Sequence, residues 1–416
     1  MQLKFISKAA FILLLSMPVI FSACIKDSCK KVYTYSYFVP VYKTKEEVRA
    51  NIKSNAPREL KNTGKLYMYG HYIFLSETDK GVHIIDNSNP SSPRNTGFID
   101  IPGTLDLAVK GNTLYADLYT DLVTIDISNP ANVVLKKVTE NVFAYRYWGG
   151  GFSADNNAVI VDWQKRDTTV TESCDNGLVF AMDNTVFLAS SSSGSASAPT
   201  GVGGSMARFT IMNDRLYTVT NTDLDVFNIS NSNNPVKGAR VSVGTNIETI
   251  YPFKESLFIG SMNGMFIYNV GNPDNPVKTG QFNHVRTCDP VIADDTHAYV
   301  TLRSGTPCTG FTNELDVLRL NGVSNPTLVK VYQLKNPHGL SKDGNSLFIC
   351  DDGLKVYNAS DVNNLQLLQH IKDAETFDVI ARNNVALVVA KDGLYQYDYS
   401  DIANVKLLSK LSVTRQ

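Results

Sequence analysis

The sequence repeats one short segment seven times, and this repeat limits the fold more than any other feature. Its clearest copy is LVTIDISNPANV, Leu122 to Val133, an alternating apolar run that ends in Asp-Ile-Ser-Asn-Pro. The residue at the fifth position marks each copy: Asp86, Asp126, Asn228, Asn269, Arg319, Asn358 and Asp398. The copies lie roughly 40 residues apart, with longer gaps after Asp126 and after Asn269. A period of this size with short strands predicts a β-propeller whose blades are four-stranded sheets.

Each period contains four strands, which we name a to d. In the second period they are LDLAVKG, NTLYADLY, LVTIDIS and NVVLKKVTE, separated by Gly111-Asn112, Thr120-Asp121 and Asn129-Pro130. Asp or Asn at the fifth position ends strand c, because its side chain can bond its own backbone two residues on, and the proline cannot continue the ladder. The sequence therefore predicts an all-β chain with a seven-bladed β-propeller of four-stranded antiparallel blades over residues 61–416.

These LVTIDISNP-type segments resemble the LVIVD-repeat family of bacterial surface and secreted proteins. The resemblance covers roughly Lys61 to Val413. It implies a β-propeller, and it brings no chemistry that can be assigned residue by residue.

The N-terminus predicts export and lipid attachment. Lys4 and Lys8 precede the apolar run AAFILLLSMPVIF, which is followed by two small residues and Cys24. This arrangement is typical of a signal peptide over residues 1–23, and it resembles a lipobox with Phe21 at the usual leucine position. We expect a lipid on Cys24 that anchors the chain in the envelope of a Gram-negative bacterium, at the outer membrane. The alternative is ordinary cleavage that leaves Cys24 unmodified.

Charge and motif content exclude several classes of function. Removal of the two signal-peptide lysines changes the net charge from -1 to -3, and the remaining basic residues are scattered. We therefore expect no nucleic-acid partner and no membrane contact except through the lipid. The sequence has no nucleophile elbow, zinc-protease motif, phosphate-binding loop or EF-hand loop. We accordingly expect no cofactor and no metal.

Residues 24–60 form a tether and a tyrosine-rich N-terminal segment. VYTYSYFVPVY, Val32 to Tyr42, alternates so that Tyr33, Tyr35 and Tyr37 share one face of a predicted strand. Pro40 restricts that strand to an edge. Its role is open between an extra edge strand, a clasp over the ring closure and a spacer from the membrane.

Two insertions predict which side of the propeller carries function. The longer gap places an insertion at about 141–205, in the link from strand d of blade two to strand a of blade three. The shorter insertion, Arg303 to Glu314, lies in a b–c loop of blade five. In an up-and-down blade, d–a links and b–c loops emerge on the same side, which we call the insertion face. Loops on a rigid scaffold commonly carry recognition, so we expect function there.

The large insertion combines aromatic residues with a low-complexity stretch. Tyr145, Tyr147, Trp148 and Trp163 are candidates for stacking on sugars or for contacting a protein. The alternative is that they pack down as a small satellite core. The following SSSSGSASAPTGVGGS is typical of a flexible linker.

The cysteines predict one disulfide on the same face. Cys288 begins strand a of blade five and Cys308 lies in the b–c loop of that blade. A bond between them would stabilise the fold by about 3 kcal/mol. Cys350 is expected to be a buried thiol.

Strand a lines the central channel, so the first residues of the seven a strands converge at its mouth. These channel-mouth residues are Lys65, Asp106, Arg208, Glu248, Asp289, His338 and Asp378. Crowded carboxylates can bind a ligand or raise one another's pKa for acid–base work. They can equally be the polar lining of a water-filled channel.

Two classes of function follow. The first is a non-catalytic binding or scaffold module, which uses the insertion face to bind an envelope protein or a glycan. The alternative is a hydrolase or lyase that acts at the channel mouth through His338 with Asp289 or Glu248. A third possibility, a structural spacer, predicts a mouth filled by the protein's own side chains.

Overall fold

The computed structural model describes residues 30–143, 157–173, 202–284, 290–305, 311–322 and 324–414. Contacts divide the chain into two compact units. The ribbon unit comprises Met1–Val41 and Asp162–Val186, and the propeller unit comprises Tyr42–Val161 and Phe187–Gln416.

The elements before the first blade and in that blade follow in chain order: β1 (Lys30–Thr44), α1 (Lys45–Arg49), β2 (Lys53–Asn55), β3 (Thr63–Tyr69), β4 (Tyr72–Glu77), β5 (Gly81–Asp86) and β6 (Arg94–Asp100). Blade two contains β7 (Leu107–Lys110), β8 (Thr113–Leu118), β9 (Asp121–Asp126) and β10 (Val134–Thr139). The large insertion contributes β11 (Ala158–Ser173) and β12 (Val202–Gly203).

Blades three to seven repeat the same order. Blade three contains β13 (Phe209–Met212), β14 (Arg215–Val219), β15 (Asp223–Asn228) and β16 (Val236–Ser242), and blade four contains β17 (Ile247–Phe253), β18 (Ser256–Ser261), β19 (Gly264–Asn269) and β20 (Val277–Asn283). Blade five contains β21 (Val291–Ala293), β22 (His297–Leu302), β23 (Glu314–Leu320) and β24 (Pro326–Gln333). Blade six contains β25 (Pro337–Asp343), β26 (Ser346–Asp351), β27 (Leu354–Asn358) and β28 (Gln366–Ile371), and blade seven contains β29 (Thr376–Arg382), β30 (Val385–Ala390), β31 (Gly393–Asp398) and β32 (Lys406–Ser412).

This is the seven-bladed β-propeller that the sequence predicts. The four strands of every blade are consecutive in sequence and antiparallel. The middle strands are almost fully buried, as in β8 and β18, whereas the outer d strands alternate between exposed and half-buried residues, as in β16. A strand buried on both faces is an apolar run with little alternation, which is why strands b and c have the most apolar sequences.

The first blade is wider than the others, with the strand order β12-β3-β4-β5-β6-β2. β2 adds to its outer edge and β12 adds to its inner edge. The ring closes through a parallel bridge between Leu60 and Val413, beside which Thr414 N donates to Leu60 O at 2.9 Å. Each blade thus takes its four main strands from consecutive residues, as the sequence predicts, and Leu60, which precedes β3, completes the closure.

The ribbon unit is a two-stranded pairing of β1 with β11. Two side-chain hydrogen bonds join the strands, Thr34 with Thr169 at 3.3 Å and Ser36 with Asp167 at 2.6 Å. The tyrosines at 33, 35 and 37 remain exposed, and Tyr33 stacks on Tyr35. The segment that the sequence left without a partner thus pairs with a strand of the large insertion.

The Asp/Asn corners have the geometry that their sequence predicts. At six of the seven fifth positions the side-chain oxygen accepts the backbone N–H two residues on, at 2.8–3.0 Å: Asp86, Asp126, Asn228, Asn269, Asn358 and Asp398. Arg319 of blade five has no acceptor to offer. The motif is therefore a structural corner between strands c and d.

The central channel is crossed by the chain itself. Residues 202–207, which we call the plug segment, are all buried. Val202 and Gly203 pair with β3 of blade one, and Ala207 O accepts Ile250 N of blade four at 3.0 Å. Because blades one and four lie on opposite sides of a seven-membered ring, this segment passes through the channel. Residues 202–205, the last residues of the predicted flexible linker, are therefore ordered, because they contact the channel walls.

Ser205 fixes the plug segment to two further blades. Its N–H and its Oγ–H donate to Asp378 Oδ1 of blade seven at 3.1 and 3.2 Å. Its Oγ accepts Leu340 N of blade six at 2.6 Å. The fit beside it excludes a side chain, because a Cβ at Gly204 would lie 1.9 Å from Asp378 Oδ2.

The corner bonds can be tested at Asn228. We expect Asn228→Ala to lower the free energy of unfolding by about 1 kcal/mol, because Ser230 N loses its acceptor. The matched control is Arg319→Ala, at the corner that lacks this bond, with an expected change within about 0.5 kcal/mol. Urea unfolding measures both, and equal effects would contradict a role for the bond.

The plug segment can be tested at Gly204. We expect Gly204→Ala to destabilise the protein by about 1–3 kcal/mol, because the new methyl group overlaps the Asp378 carboxylate. Gly97→Ala is the control, since the nearest atom to a Cβ there is 3.7 Å away. Both variants restrict the unfolded chain alike, so similar midpoints of thermal unfolding would show that the plug segment is not tightly seated.

Candidate functional site

The insertion face is defined in the propeller unit by contacts between its connections. In blade two, Asn141 N of the d–a link donates to Asp121 Oδ1 of the b–c turn at 3.0 Å. Arg49 of α1 bridges the same two connections, at 2.7 Å from Asp121 and 2.6 Å from Glu140. The d–a links and b–c turns therefore emerge on one side, as the topology predicts.

Three channel-mouth residues lie inside the propeller beside the plug segment. Lys65, Asp106 and Asp378 are each only 2% exposed. Lys65 Nζ donates to Met206 O at 3.2 Å, and Asp106 accepts the backbone N–H of Arg208. These residues hold the chain that fills the channel.

Burial dominates the electrostatics of these three groups. It lowers the pKa of Lys65 to about 8, although the charge of Asp106 opposes the shift. It raises the pKa of Asp106 to about 6 and that of Asp378 to about 7. The direction in each case favours the neutral form, as expected for charged groups removed from water. Asp378 Oδ2 is buried with no hydrogen-bond partner in the described part of the chain.

Three other predicted positions lie closer to solvent, and they have a neighbour that the sequence did not identify. Arg208, Glu248 and His338 are half-buried. Arg303, at the start of the blade-five b–c loop, interacts electrostatically with Glu248 and with His338. Arg303 lies at the root of an insertion and not on a strand a, so the register of the seven a strands does not predict it.

His338 is in an environment that disfavours its charged form. Burial and the nearby Arg303 lower its pKa to about 3. Its Nε2 lies 3.3 Å from Asn336 Nδ2, and its ring packs edge-on against Phe377. Asp289, its other predicted partner, lies outside the described residues, and so the predicted pairing of these two residues remains untested.

A cleft opens on the propeller unit between blades two and three, at the root of the large insertion. Its volume is about 80 Å³. The lining combines charged, aromatic and small polar residues: Leu105, Asp106, Asp117, Tyr119, Phe143, Arg208, Phe209, Val219, Thr220 and Asn221. The sequence predicted only Asp106 and Arg208 of this set.

Hydrogen bonds fix the polar wall of the cleft. Asp117 Oδ1 accepts Leu105 N at 2.8 Å and Asp106 N at 2.9 Å. Arg208 donates from its terminal guanidinium nitrogen to Ile247 O at 3.2 Å. Its Nε, however, is buried with no hydrogen-bond partner among the described residues. A buried donor without an acceptor is uncommon in folded proteins, so the hydrogen bonding of this wall is incomplete.

The aromatic wall comes from the first residues of the insertion. Phe143 stacks on Phe209, with the ring centroids 5.4 Å apart. The preceding Val142 is fully buried, and its carbonyl accepts Arg240 at 2.8 Å. The insertion is therefore anchored at its start, where it forms one side of the cleft.

Other predicted site residues fall partly outside the described chain. Trp163 lies on β11 of the ribbon unit and is half-buried. Cys350 is a buried free thiol whose pKa is raised by burial. The residues that lie outside the described ranges are Cys24, Tyr145, Tyr147, Trp148, Cys288 and Cys308.

Neither a metal-binding cluster nor a membrane-spanning helix is found among the described residues. Among the described residues, no group of three or more His, Cys, Asp or Glu side chains is placed to hold a metal ion. Within those ranges, no helix is long and apolar enough to span a bilayer.

The buried carboxylate of Asp378 predicts a specific pH dependence. Because its folded pKa of about 7 exceeds the ordinary value of about 3.9, the folded state binds more protons than the unfolded chain between these values. Its contribution to stability therefore falls as pH rises from about 4 to 7 and is constant above. We expect wild type to lose stability relative to Asp378→Asn across this window. A difference that is independent of pH in urea unfolding would contradict the assignment.

Comparison with known proteins supports the architecture. The LVIVD repeat model matches residues 62–100 and 103–139, which are blades one and two. No curated protein matches the sequence. A solved protein from Lactobacillus plantarum is similar over 84% of this chain and 97% of its own, with 12% identity and a TM-score of 0.52.

Two further solved structures have lower TM-scores. A functionally unknown protein from Desulfotomaculum acetoxidans has 12% identity over 84% of this chain and 95% of its own, with a TM-score of 0.45. PorZ, a surface component of the type-IX secretion system of Porphyromonas gingivalis, has 12% identity over 85% of this chain and 39% of its own, with a TM-score of 0.47. At such identities the likeness concerns the fold alone. The chain thus contains LVIVD repeats in a seven-bladed β-propeller, which confirms the predicted architecture and is consistent with an LVIVD-repeat propeller family.

Proposed function

We propose that this protein is a lipid-anchored, non-catalytic recognition module of a Gram-negative cell envelope, attached to the outer membrane. Its propeller binds a protein or glycan partner through the insertion face. The observation that carries the proposal is the cleft between blades two and three, with a guanidinium and aromatic rings on its walls.

The size of the cleft favours a macromolecular partner over a small substrate. Sites for small molecules typically enclose about 300–1,000 Å³, whereas this cleft has a volume of about 80 Å³. It can admit one amino-acid side chain or one substituent of a sugar. Interfaces commonly depend on such single anchoring groups in small, well-packed pockets.

The walls of the cleft suit a group that has an apolar surface, either flat or aliphatic, and that also accepts a hydrogen bond. Phe143 and Phe209 line the cleft with apolar surface, and the guanidinium of Arg208 is the hydrogen-bond donor group on its wall. Sugars and amide-bearing side chains combine these two properties. The cleft is also continuous with the first described residues of the insertion, so a partner held there would contact the insertion.

The filled channel favours recognition over chemistry at the mouth. The plug segment contacts Lys65 and Asp378, so these groups support the protein's own backbone. His338, with a pKa of about 3, would be a weak general base at neutral pH. These two observations favour the recognition module over the hydrolase or lyase alternative.

Attachment and location rest on the N-terminal sequence. A signal peptide followed by Cys24 supports lipidation, and a diacylated or triacylated cysteine would hold the chain firmly at a membrane. The propeller would then present its insertion face to components of the envelope.

The cleft can be tested by filling it. We expect Asn221→Trp to reduce partner capture at least tenfold, because the indole would occupy the cleft from its exposed rim. The mature protein with Cys24→Ser would be immobilised and exposed to solubilised envelope proteins and to a glycan array. Deletion of residues 141–205 is unsuitable, because it would also remove most of the plug segment.

The control places the same side chain on the opposite side of the propeller. Ser92→Trp lies in the c–d hairpin of blade one and is exposed. Capture that is equal for the two tryptophan variants, with unfolding cooperative in both, would reject the cleft as the binding site.

A further inference from the structure

The second position of the strand c motif occurs once in each of the seven blades, so the blades can be compared at this position. The residues there are His83, Val123, Asp225, Phe266, Asp316, Lys355 and Tyr395. Each is the residue after the first apolar position of its motif, close to the b–c turn and therefore to the insertion face. The polar ones must find partners, because the strands lie between neighbouring blades.

Four of the five polar residues have a partner of opposite charge or complementary hydrogen bonding. The pairs are His83 with Glu77 at 3.1 Å, Asp225 with Arg240 at 2.6 Å, Lys355 with Asp351 at 2.6 Å, and Tyr395 with Asp392 at 2.8 Å. In all four the partner belongs to the same blade. The fold thus repeatedly satisfies a buried polar group at this position.

Asp316 of blade five is the exception. It is 4% exposed, and its Oδ1 is buried with no hydrogen-bond partner in the described chain. The charged or titratable groups that act on it are Glu314, which disfavours its ionised form, and His284, which favours it. Burial outweighs the latter and raises the pKa of Asp316 to about 6. Among the described residues, blade five therefore holds a carboxyl group without a neutralising hydrogen bond.

Blade three shows what is missing. There Arg240 donates two hydrogen bonds to the Asp225 carboxylate, at 2.8 and 2.6 Å, and Lys237 lies 3.4 Å from the same carboxylate. Both cations come from strand d of that blade. The carboxylate of blade three is thus neutralised within its own sheet.

The strand registers identify the corresponding positions in blade five. Arg240 lies opposite Asp225, and Val331 lies opposite Asp316. In the same way, Lys237 corresponds to Leu328, which lies opposite Leu318. Val331 is 37% exposed and Leu328 is 49% exposed. Two exposed apolar side chains therefore stand where blade three has the cations that neutralise its carboxylate.

We propose that the surface beside Asp316 formed by Val331 and Leu328, which we call the recess, binds a cationic side chain, an arginine, of a protein partner. The guanidinium would take the place that Arg240 holds in blade three and would pair with the carboxylate. The aliphatic part of the side chain would lie on Val331 and Leu328. Arginine fits better than lysine because its planar fork matches a carboxylate in two places.

This inference rests on the proposed function in one respect, namely that the protein has a partner at the insertion face. It narrows that partner to a protein with an exposed arginine. The recess and the cleft would be two separate contacts, since they belong to blade five and to blades two and three. Glu314, the first residue of the same strand, adds negative potential that favours a cation.

The experiment uses a probe and does not require the natural partner. The full mature chain with Cys24→Ser would be titrated at pH 7.5 with N-acetyl-L-arginine amide and, separately, with N-acetyl-L-citrulline amide, which has the same shape and no charge. We expect the arginine probe to raise Tm in a saturable manner and the citrulline probe to raise it less, as a ligand of the folded state does. In Asp316→Asn the difference between the two probes is expected to disappear.

A second variant supplies the missing cation from within. We expect Val331→Arg to raise Tm in the absence of any probe and to abolish the arginine-specific shift, because it reproduces the blade-three pair. Val331→Gln is the control of similar size without charge, and it should retain the specific shift. If Val331→Arg does not fold, Asp316→Asn still decides the matter.

The outcomes separate this inference from the proposed function. An arginine-specific shift of equal size in wild type and Asp316→Asn would overturn the Asp316 recess, whatever Asn221→Trp does to partner capture. A shift that is lost in Asp316→Asn would support the recess even if both tryptophan variants capture partners equally. In that case the cleft alone would be rejected.

Discussion

The structure depends on the burial of both faces of the middle strands between neighbouring blades. β8 of blade two is buried at every residue, and the residues that cover it come from blades one and three as well as from its own sheet. One four-stranded sheet cannot bury two apolar faces alone, so stability comes from stacking and ring closure together. Among the described residues the backbone closure is a single parallel bridge between Leu60 and Val413. Side-chain hydrogen bonds between Asn87 and Gln396 and from Ser409 to Pro90 O also join blades one and seven. Apolar contacts of blade one with blade seven complete that joint.

The same ring that buries apolar faces also concentrates ionisable groups at its centre. Lys65, Asp106 and Asp378 are buried there with pKa values shifted toward the neutral forms. Such groups are costly unless they are bonded. The plug segment reduces that cost, because its carbonyl at Met206 and its amide at Ser205 bond Lys65 and Asp378. Three of the residues that resemble a ligand site in the sequence thus hold the protein's own backbone, and the candidate cleft shares Asp106 and Arg208 with the predicted channel mouth.

Much of the fold could be predicted from the sequence because each copy of the repeat contains the residues that end its own strand c. Asp or Asn at the corner, followed by Pro, determines where strand c ends, and the same bond forms at six corners. Long-range pairing has no such local signal. The alternation of Val32 to Tyr42 predicts a strand, but its partner Ala158–Ser173 lies more than a hundred residues further along the chain. The glycines of the plug segment suggest flexibility until Asp378, far along the chain, is known to pack against Gly204. Arg303, Asp117 and the cleft were missed for the same reason, since each acquires its role from another blade or loop.

The plug segment also orders the events by which this molecule reaches its native state. Residues 202–207 are made after blade two, yet their bonds to Leu340 and Asp378 require blades six and seven. Contacts between residues so far apart in sequence are slow to form, because the entropy cost of closing a long loop comes before the contacts stabilise the chain. The bonds of the segment to blades one and four can form with the first blades, whereas its bonds to Leu340 and Asp378 form only when the last two blades are present. A chain released without its last blade would leave Ser205 without the Asp378 carboxylate and would expose the apolar edge of blade one. Only a complete ring can therefore form the full buried hydrogen-bond network at the centre of this propeller.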